Sequence, residues 1–411
     1  MNQYYKKITI KKSVLLLQGP VGPFFKYFAE FLMQNKTQVH KINFHVGEQF
    51  FFNTEHSELY RGCVAEWEEY FSEKILRHQV QQIFLIGAHK IYHKIAIEYC
   101  QQNNIEVYVF EEGYIRSNYI TIEQNGVNGD TSLSKNPLSY REWDHPTITE
   151  PPDSITLNAA ARYYNHLRYY YRYSWGLFLS QWRLPNYQHH IQAKGLRTFF
   201  KWNKFFASLA IATIFPFKKE RNSKWIYLNE NKYYIVILQI NTDSAIKAYS
   251  QYGDMQEFIQ EVMQSFAVHA PKDCKLLIKH HPYDRGIHCY QKQIKRLTNE
   301  LNLHSRVNYI IDAHLDLALE KSLGCIVVNS TSGFTALAHE VPTIALSKQA
   351  LYNIPGLTNQ CALNEFWHNP LPPETELFRQ FKSNLIYKTQ MRGCFYGGTI
   401  CDFHRKFQFK H

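Results

Sequence analysis

The segment Lys275-Leu-Leu-Ile-Lys-His-His-Pro282 reads as a buried strand that stops at a sharp turn. Its apolar centre, Leu276–Ile278, is too short for a helix and lacks the alternation of a half-exposed strand. A strand covered on both faces of a parallel sheet fits it. Pro282 cannot donate to a ladder, so the strand ends at His280-His281. Working outward, Tyr234–Ile240 and Cys325–Asn329 repeat the pattern, and the second runs into Ser330-Thr331-Ser332-Gly333. Further strands are predicted over Val307–Ile311 and Pro342–Leu346. Helices are predicted over Asp254–Phe266, Tyr290–Leu301, Asp316–Leu323 and Phe334–His339. Strands alternating with helices of this length predict a parallel α/β unit.

The other half repeats the rhythm. Ser13–Gln18 is a short apolar strand stopped by Gly19-Pro20-Val21-Gly22-Pro23, and Phe24–Met33 continues with helical periodicity. Gln82–Gly87 is a strand, Lys90–Gln102 a helix, and Glu106–Phe110 a strand ending at Glu111-Glu112-Gly113-Tyr114. Between the halves, residues 160–232 hold 13 Lys/Arg against two acids, Glu220 and Glu230, with Tyr, Trp and Phe interleaved. This reads as a basic aromatic helical insert. The predicted organisation is a Rossmann-like domain over 1–159, the insert over 160–232, a second Rossmann-like domain over 233–390, and a tail, 391–411, packing back on the N-terminal half. The fold class is α/β and GT-B-like, two Rossmann-like domains facing a cleft, the architecture of nucleotide-sugar-dependent enzymes.

A formal charge of +11 over 411 residues calls for an anionic partner: nucleic acid, anionic lipid or a phosphorylated substrate. The basic stripe has no RRM, KH or helix-turn-helix signature, and the turns after the strands lie outside it, so nucleic acid is not expected. An aromatic share of 16% suits a surface that meets an apolar but wet partner such as a lipid headgroup layer. The eight Cys show no CxxC pair or zinc-finger spacing, as for free thiols in a reducing cytoplasm. No signal peptide is visible, and the longest apolar run, Phe205–Phe217, is short of the ~20 residues that span a bilayer. A cytoplasmic or peripheral protein is expected.

Four constellations carry chemistry. Lys279, His281 and Pro282 at a strand end can compensate the charge of a departing phosphate, or His281 can merely cap the turn. Asn329, Ser330, Thr331, Ser332 and Gly333 can present donors to an anion at a helix start, or simply cap that helix. Gln239-Ile-Asn-Thr-Asp243-Ser places a carboxylate after the first strand of the second half; it can serve as base, nucleophile or helix cap. Glu111-Glu112-Gly113-Tyr114-Ile115-Arg116 offers a second carboxylate for paired-acid glycosyl chemistry, or a salt-bridged surface turn. The turn at Gly19, Pro20 and Gly22 lacks GxGxxG spacing and suits an acceptor better than a phosphate.

The chain resembles the bacterial capsule polysaccharide proteins of the KpsS/LipB type, within the capsule-synthesis family of retaining β-Kdo transferases. The resemblance rests on LLLQGPVGPFF (15–25), KINFHVGEQFF (41–51), EEGYIRSNYITIEQNGVNG (111–129), QINTDS (239–244), KHHP (279–282) and NSTSGFTALAHEVPTIAL (329–346). It implies transfer of β-Kdo from CMP-Kdo to a lysophosphatidylglycerol acceptor on the anionic inner-membrane surface, with a companion Kdo transferase and a capsule ABC exporter as further partners. It implies Asp243 as nucleophile and Glu112 as acid/base partner. Lys279, His281 and Ser330–Ser332 become contacts of the CMP phosphate, with Gln239 and Asn329 beside them, and Gly19, Pro20, Gly22, Tyr114 and Arg116 fall to the acceptor. No metal and no cofactor beyond the CMP-linked donor are implied. A CMP-sialic-acid-dependent transferase and a non-catalytic capsule-export or anionic-polymer-binding protein are the alternatives.

Overall fold

The computed structural model describes residues 5–115, 118–143, 148, 159–189, 200, 203–205, 207–208, 217–241, 244–285, 287–311, 313–397 and 401–409. Two compact units divide the chain: residues 1–132, 148–200 and 383–411 form the first, and 133–147 with 201–382 the second. Residues 160–232, read from the sequence as one insert, are therefore shared between the units. In chain order the strands are β1 (Ile8–Ile10), β2 (Ser13–Leu16), β3 (Gln38–Asn43), β4 (Ser57–Leu59), β5 (Gln82–Ile86), β6 (Glu106–Glu112) and β7 (Tyr119–Gln124). There follow β8 (Tyr233–Ile237), β9 (Lys275–Lys279), β10 (Val307–Ile310), β11 (Gly324–Val327), β12 (Thr343–Ala345), β13 (Gln390–Arg392) and β14 (Phe407–Phe409).

Unit 1 holds a seven-stranded sheet in the order β13-β7-β6-β5-β2-β3-β4. Its strands β6 to β4 are parallel, while at the edge β7 pairs antiparallel with β6 and β13 antiparallel with β7. Unit 2 is a five-stranded parallel sheet, β10-β9-β8-β11-β12. Counted within each unit, both parallel sets follow the order 3-2-1-4-5, the Rossmann arrangement. Together they make the two-domain α/β composition of a GT-B-like fold.

The strands form where the sequence puts apolar runs because both sheet faces are covered. Along β2, Val14 and Leu16 join one core with Phe84 and Phe110, while Leu15 and Leu17 join another with Ile83 and Val109. A period of two thus feeds two cores from one strand. In unit 2, Tyr234, Val236 and Leu238 pack on the helix Met255–His269, whose N-terminus Asp254 caps by accepting from the Gln256 and Glu257 N–H groups. No described helix is long and apolar enough to cross a membrane.

Much of the aromatic content is structural. Phe24, Phe25, Phe28 and Phe31 of the helix Phe24–Gln34 meet Phe84 and Phe110 of the sheet and Phe395, Phe403 and Phe407 of the returning C-terminal chain. Phe28 sits at the centre, with ring centroids 5.1 Å from both Phe84 and Phe407. Its replacement by alanine leaves a cavity that rigid neighbours cannot fill. Phe28→Ala is expected to cost about 3–5 kcal/mol in urea unfolding and to release the C-terminal segment to limited proteolysis first. A loss below about 1 kcal/mol would contradict the shared core.

Candidate functional site

In unit 2 the strand order reverses between β8 and β11, so the connections leave to opposite faces and open a crevice beyond their carboxyl ends. The residues singled out from the sequence lie on the tails of β8, β9 and β11. Gln239, buried just past β8, reaches Asn329 just past β11. Its Nε2 donates to Asn329 Oδ1 at 2.7 Å, and the Asn329 N–H donates back to Gln239 Oε1 at 3.1 Å. This paired bond ties the two tails flanking the crevice.

A second tie runs from β8 to the turn after β9. Asp284, fully buried, accepts the Asn241 N–H at 2.8 Å, and its carboxylate also meets His288 Nδ1 at 3.2 Å and the Tyr290 hydroxyl at 3.4 Å. Asn241 in turn accepts the Met255 N–H. The backbone entering Thr242-Asp243 is thereby held from both sides; Asp243 itself lies outside the described residues. Asp284 escaped the sequence reading, although an Asp two residues past a His-Pro turn is a signal that could have found it.

Lys279 ends β9 with only 6% of its surface exposed. Among the described residues no hydrogen bond or ion pair to its ammonium is present, and burial pushes its pKa down to about 8. A buried cation without a counter-charge is expensive, and an anionic ligand is one way to relieve it. His281 accepts the Tyr283 N–H on Nδ1 at 3.2 Å and so caps the short turn Pro282–Asp284. With Nδ1 accepting, a neutral ring carries its proton on Nε2 and can donate from there. Both sequence readings of His281 are therefore compatible in one residue. The exposed Pro282 starts the turn. Neighbouring His280 is buried against Tyr309, whose hydroxyl lies 2.8 Å from Nδ1; burial lowers its pKa.

After β11, Ser330 Oγ accepts the Ser332 N–H at 3.2 Å, while the Ser330 carbonyl accepts from the Tyr352 hydroxyl and from the Gly333 N–H. Thr331 precedes the seven-residue helix Ser332–Ala338 without a side-chain cap bond. Ser330 thus closes a serine turn just ahead of the helix rather than capping it. Gly333 admits no side chain, since a Cβ there would stand 2.2 Å from the Tyr352 hydroxyl.

In unit 1, Glu112 at the end of β6 accepts from the Tyr396 hydroxyl at 3.0 Å. Tyr114 is buried, its hydroxyl donating to Glu123 at 2.9 Å and accepting the Asn128 N–H at 2.6 Å, so it frames the loop rather than presenting an exposed hydroxyl. Arg116 lies outside the described residues. Gly19 and Gly22 flank the half-buried Pro20, and both are needed as glycines. A Cβ on Gly19 would strike the Phe25 ring, and Gly22 has φ +123° against Tyr169. Among the described residues no group of three or more His, Cys, Asp or Glu could hold a metal ion.

The lowered Lys279 pKa gives a signed prediction. Its folded pKa lies below the ordinary 10.5, so the protonated group costs stability below pH 8, and the cost fades as pH rises from about 8 toward 10.5. Lys279→Met is expected to stabilise the unliganded chain at pH 7 by up to about 3 kcal/mol in urea unfolding, with little gain at pH 10. A variant less stable than wild type at pH 7 would show the ammonium to be paired.

Residues 81–396 match the family model described as capsule polysaccharide biosynthesis protein. The chain is 34% identical over 401 residues to the capsule polysaccharide modification protein LipB of Neisseria meningitidis serogroup A, covering 94% of this chain and 92% of that protein. It is 31% identical over 393 residues to the capsule polysaccharide export protein KpsS of Escherichia coli, covering 94% and 97%. Among solved structures, a glycosyltransferase from Rickettsia africae aligns over 96% of this chain and 92% of its own at 13% identity, with a TM-score of 0.33, too slight a likeness to bear on the site. With a family model spanning most of its length and relatives above 30% identity over nearly all of it, the chain belongs to the capsule polysaccharide biosynthesis protein family.

Proposed function

We propose that the chain is a retaining glycosyltransferase that moves β-Kdo from CMP-Kdo to a lysophosphatidylglycerol acceptor, starting the poly-Kdo linker of a capsular polysaccharide. The observation that carries this reading is Lys279: a buried ammonium at a strand end beside the crevice of a Rossmann-like sheet, two residues before His281, whose ring caps the following turn. That arrangement suits a nucleotide phosphate, whose negative charge grows as the glycosidic bond breaks. Asn329 and Ser330–Gly333 border the same crevice, and the capsule family supplies the biosynthetic context.

In the proposed double displacement, the Asp243 carboxylate bonds to the anomeric carbon as the bond to the CMP phosphate breaks. The acceptor hydroxyl then displaces Asp243, with Glu112 taking the hydroxyl proton. Lys279 and His281 stabilise the departing phosphate throughout, so this chemistry needs no metal. The reading places the chain peripherally on the cytoplasmic face of the inner membrane. The helix Ala159–Arg183 supports that placement. Tyr164, Tyr171, Trp175, Leu179 and Trp182 lie on one helical face, from 37% to 66% exposed, with Arg168, Arg172 and Arg183 exposed on the same helix and no acid along its length. Aromatic rings at headgroup depth and arginines near anionic lipid contribute together, about 1 kcal/mol per basic residue. A companion Kdo transferase and a capsule ABC exporter are the proposed later partners.

Incubation with a CMP-Kdo generating system and lysophosphatidylglycerol, followed by mass analysis of the lipid, tests the reading. A mass gain of one Kdo is expected, falling at least a thousandfold in rate for Asp243→Ala. Transfer of sialic acid from CMP-sialic acid instead, or an undiminished rate in Asp243→Ala, would overturn it.

A further inference from the structure

The motif His45-Val-Gly-Glu48 has no role in the chemistry above, yet it builds a buried polar cluster in unit 1. His45 follows β3 and is fully buried; Glu48 is 7% exposed. One carboxylate oxygen, Glu48 Oε2, is held by Lys41 Nζ at 2.9 Å, and Lys41 also donates to the Ile42 carbonyl. The other oxygen, Oε1, stands 3.2 Å from His45 Nε2 but makes no hydrogen bond among the described residues. The imidazole is equally lopsided. Its Nε2 lies 2.9 Å from the Tyr173 hydroxyl and 3.3 Å from the Gln18 amide nitrogen, whereas its Nδ1 has no hydrogen-bond partner among the described residues.

The tautomer follows from these contacts. Burial, reinforced by Lys41 and Lys90, holds the His45 pKa well below its ordinary value, so the ring is neutral. The Gln18 amide nitrogen can only donate, so Nε2 accepts and Nδ1 carries the proton. The cluster therefore presents one unused donor, His45 Nδ1–H, and one unused acceptor, Glu48 Oε1. Position 47 admits only glycine, since a Cβ there would stand 2.9 Å from Nδ1 and 2.8 Å from the Tyr173 carbonyl oxygen. Glu48 is already paired with Lys41, and the half-buried Lys90, lowered to about 8 by burial, stands near, so a further ion of either sign meets a like charge. A hydroxyl, both donor and acceptor, is the complement.

Position supports a ligand rather than an inert core. Gln18, His45 and Lys90 follow β2, β3 and β5, and β2 and β5 are the strands between which the order of this sheet reverses. The cluster is roofed by the helix Ala159–Arg183, through Tyr173 and through Ser180, whose Oγ accepts the Val46 N–H at 2.9 Å. We propose that His45 and Glu48 form a binding site in unit 1 for a hydroxyl of a polyol, namely the hydroxyl-bearing head of the acceptor; its assignment to the acceptor rests on the transferase reading. His45 donates to the hydroxyl oxygen from Nδ1, and Glu48 accepts its proton side on Oε1.

The test uses the full chain with Glu48→Gln, His45→Gln and the double variant Lys41→Met/Glu48→Leu, which removes the buried charges together and so keeps the chain foldable. Binding of sn-glycero-3-phosphoglycerol is read by calorimetry, and KM and kcat are read with lysophosphatidylglycerol and CMP-Kdo. Each folded variant is expected to raise the acceptor KM at least tenfold and abolish headgroup binding, with the CMP affinity unchanged. A purely structural cluster would not separate acceptor KM from CMP affinity. Unchanged acceptor KM and headgroup binding in the folded variants, or no headgroup binding by the wild type, would overturn the proposal. Glu48-dependent headgroup binding without any Kdo transfer would sustain the site while refuting the transferase. Kdo transfer indifferent to all three variants would do the reverse.

Discussion

A lysine ammonium buried at the end of a parallel strand is costly, and the second unit is organised around that cost. Lys279 lies where β9 ends, and its carbonyl accepts the Leu238 N–H from the tail of β8. The tails of β8, β9 and β11 are then locked together by the Gln239–Asn329 pair and by Asp284 on Asn241. These ties leave little freedom for the groups bordering the crevice. A preorganised site of this kind can meet a developing phosphate charge without rearranging when the reaction occurs.

Unit 1 solves a different problem at the equivalent end of its sheet. There the charged groups are mostly paired, Lys41 with Glu48 above all, and the unused capacity is that of a neutral hydroxyl. The same long helix closes this cluster with Tyr173 and Ser180 and turns Trp175 and Trp182 outward. One element therefore serves the core on one face and an exposed aromatic surface on the other. The phenylalanines do something else: they bind the C-terminal chain to the sheet, with Phe395, Phe403 and Phe407 around Phe24 and Phe28.

Most of the parallel strands were legible because burial on both faces leaves apolar runs such as Tyr-Ile-Val-Ile and Leu-Leu-Ile, with Gly, Pro or Ser at their ends. The observed β8, β9 and β11 agree with those runs to within a few residues. β3 was not legible, because Gln-Val-His-Lys-Ile-Asn carries the polar groups of the Lys41–Glu48 network and resembles a surface segment. β13 and β14 are three residues each, too short for any periodicity, and exist only through distant partners, β7 and β1. At the site, Lys279 and His281 stood out because a lysine and two histidines running into a strand-ending proline are an unusual pattern. The Gln239–Asn329 bond was invisible because its partners are 90 residues apart. Tyr114, read as an acceptor contact, is drawn inward by Glu123, a carboxylate on an antiparallel strand that the α/β rhythm did not foretell.

On the transferase reading, the buried ammonium of Lys279 holds a nucleotide phosphate. A crystal structure of the chain with CMP bound tests it most directly. The phosphate is expected within hydrogen-bonding distance of Lys279 Nζ, beyond the carboxyl ends of β8 and β11 in unit 2. CMP seated in unit 1, or bound in unit 2 with its phosphate turned away from Lys279, would contradict it.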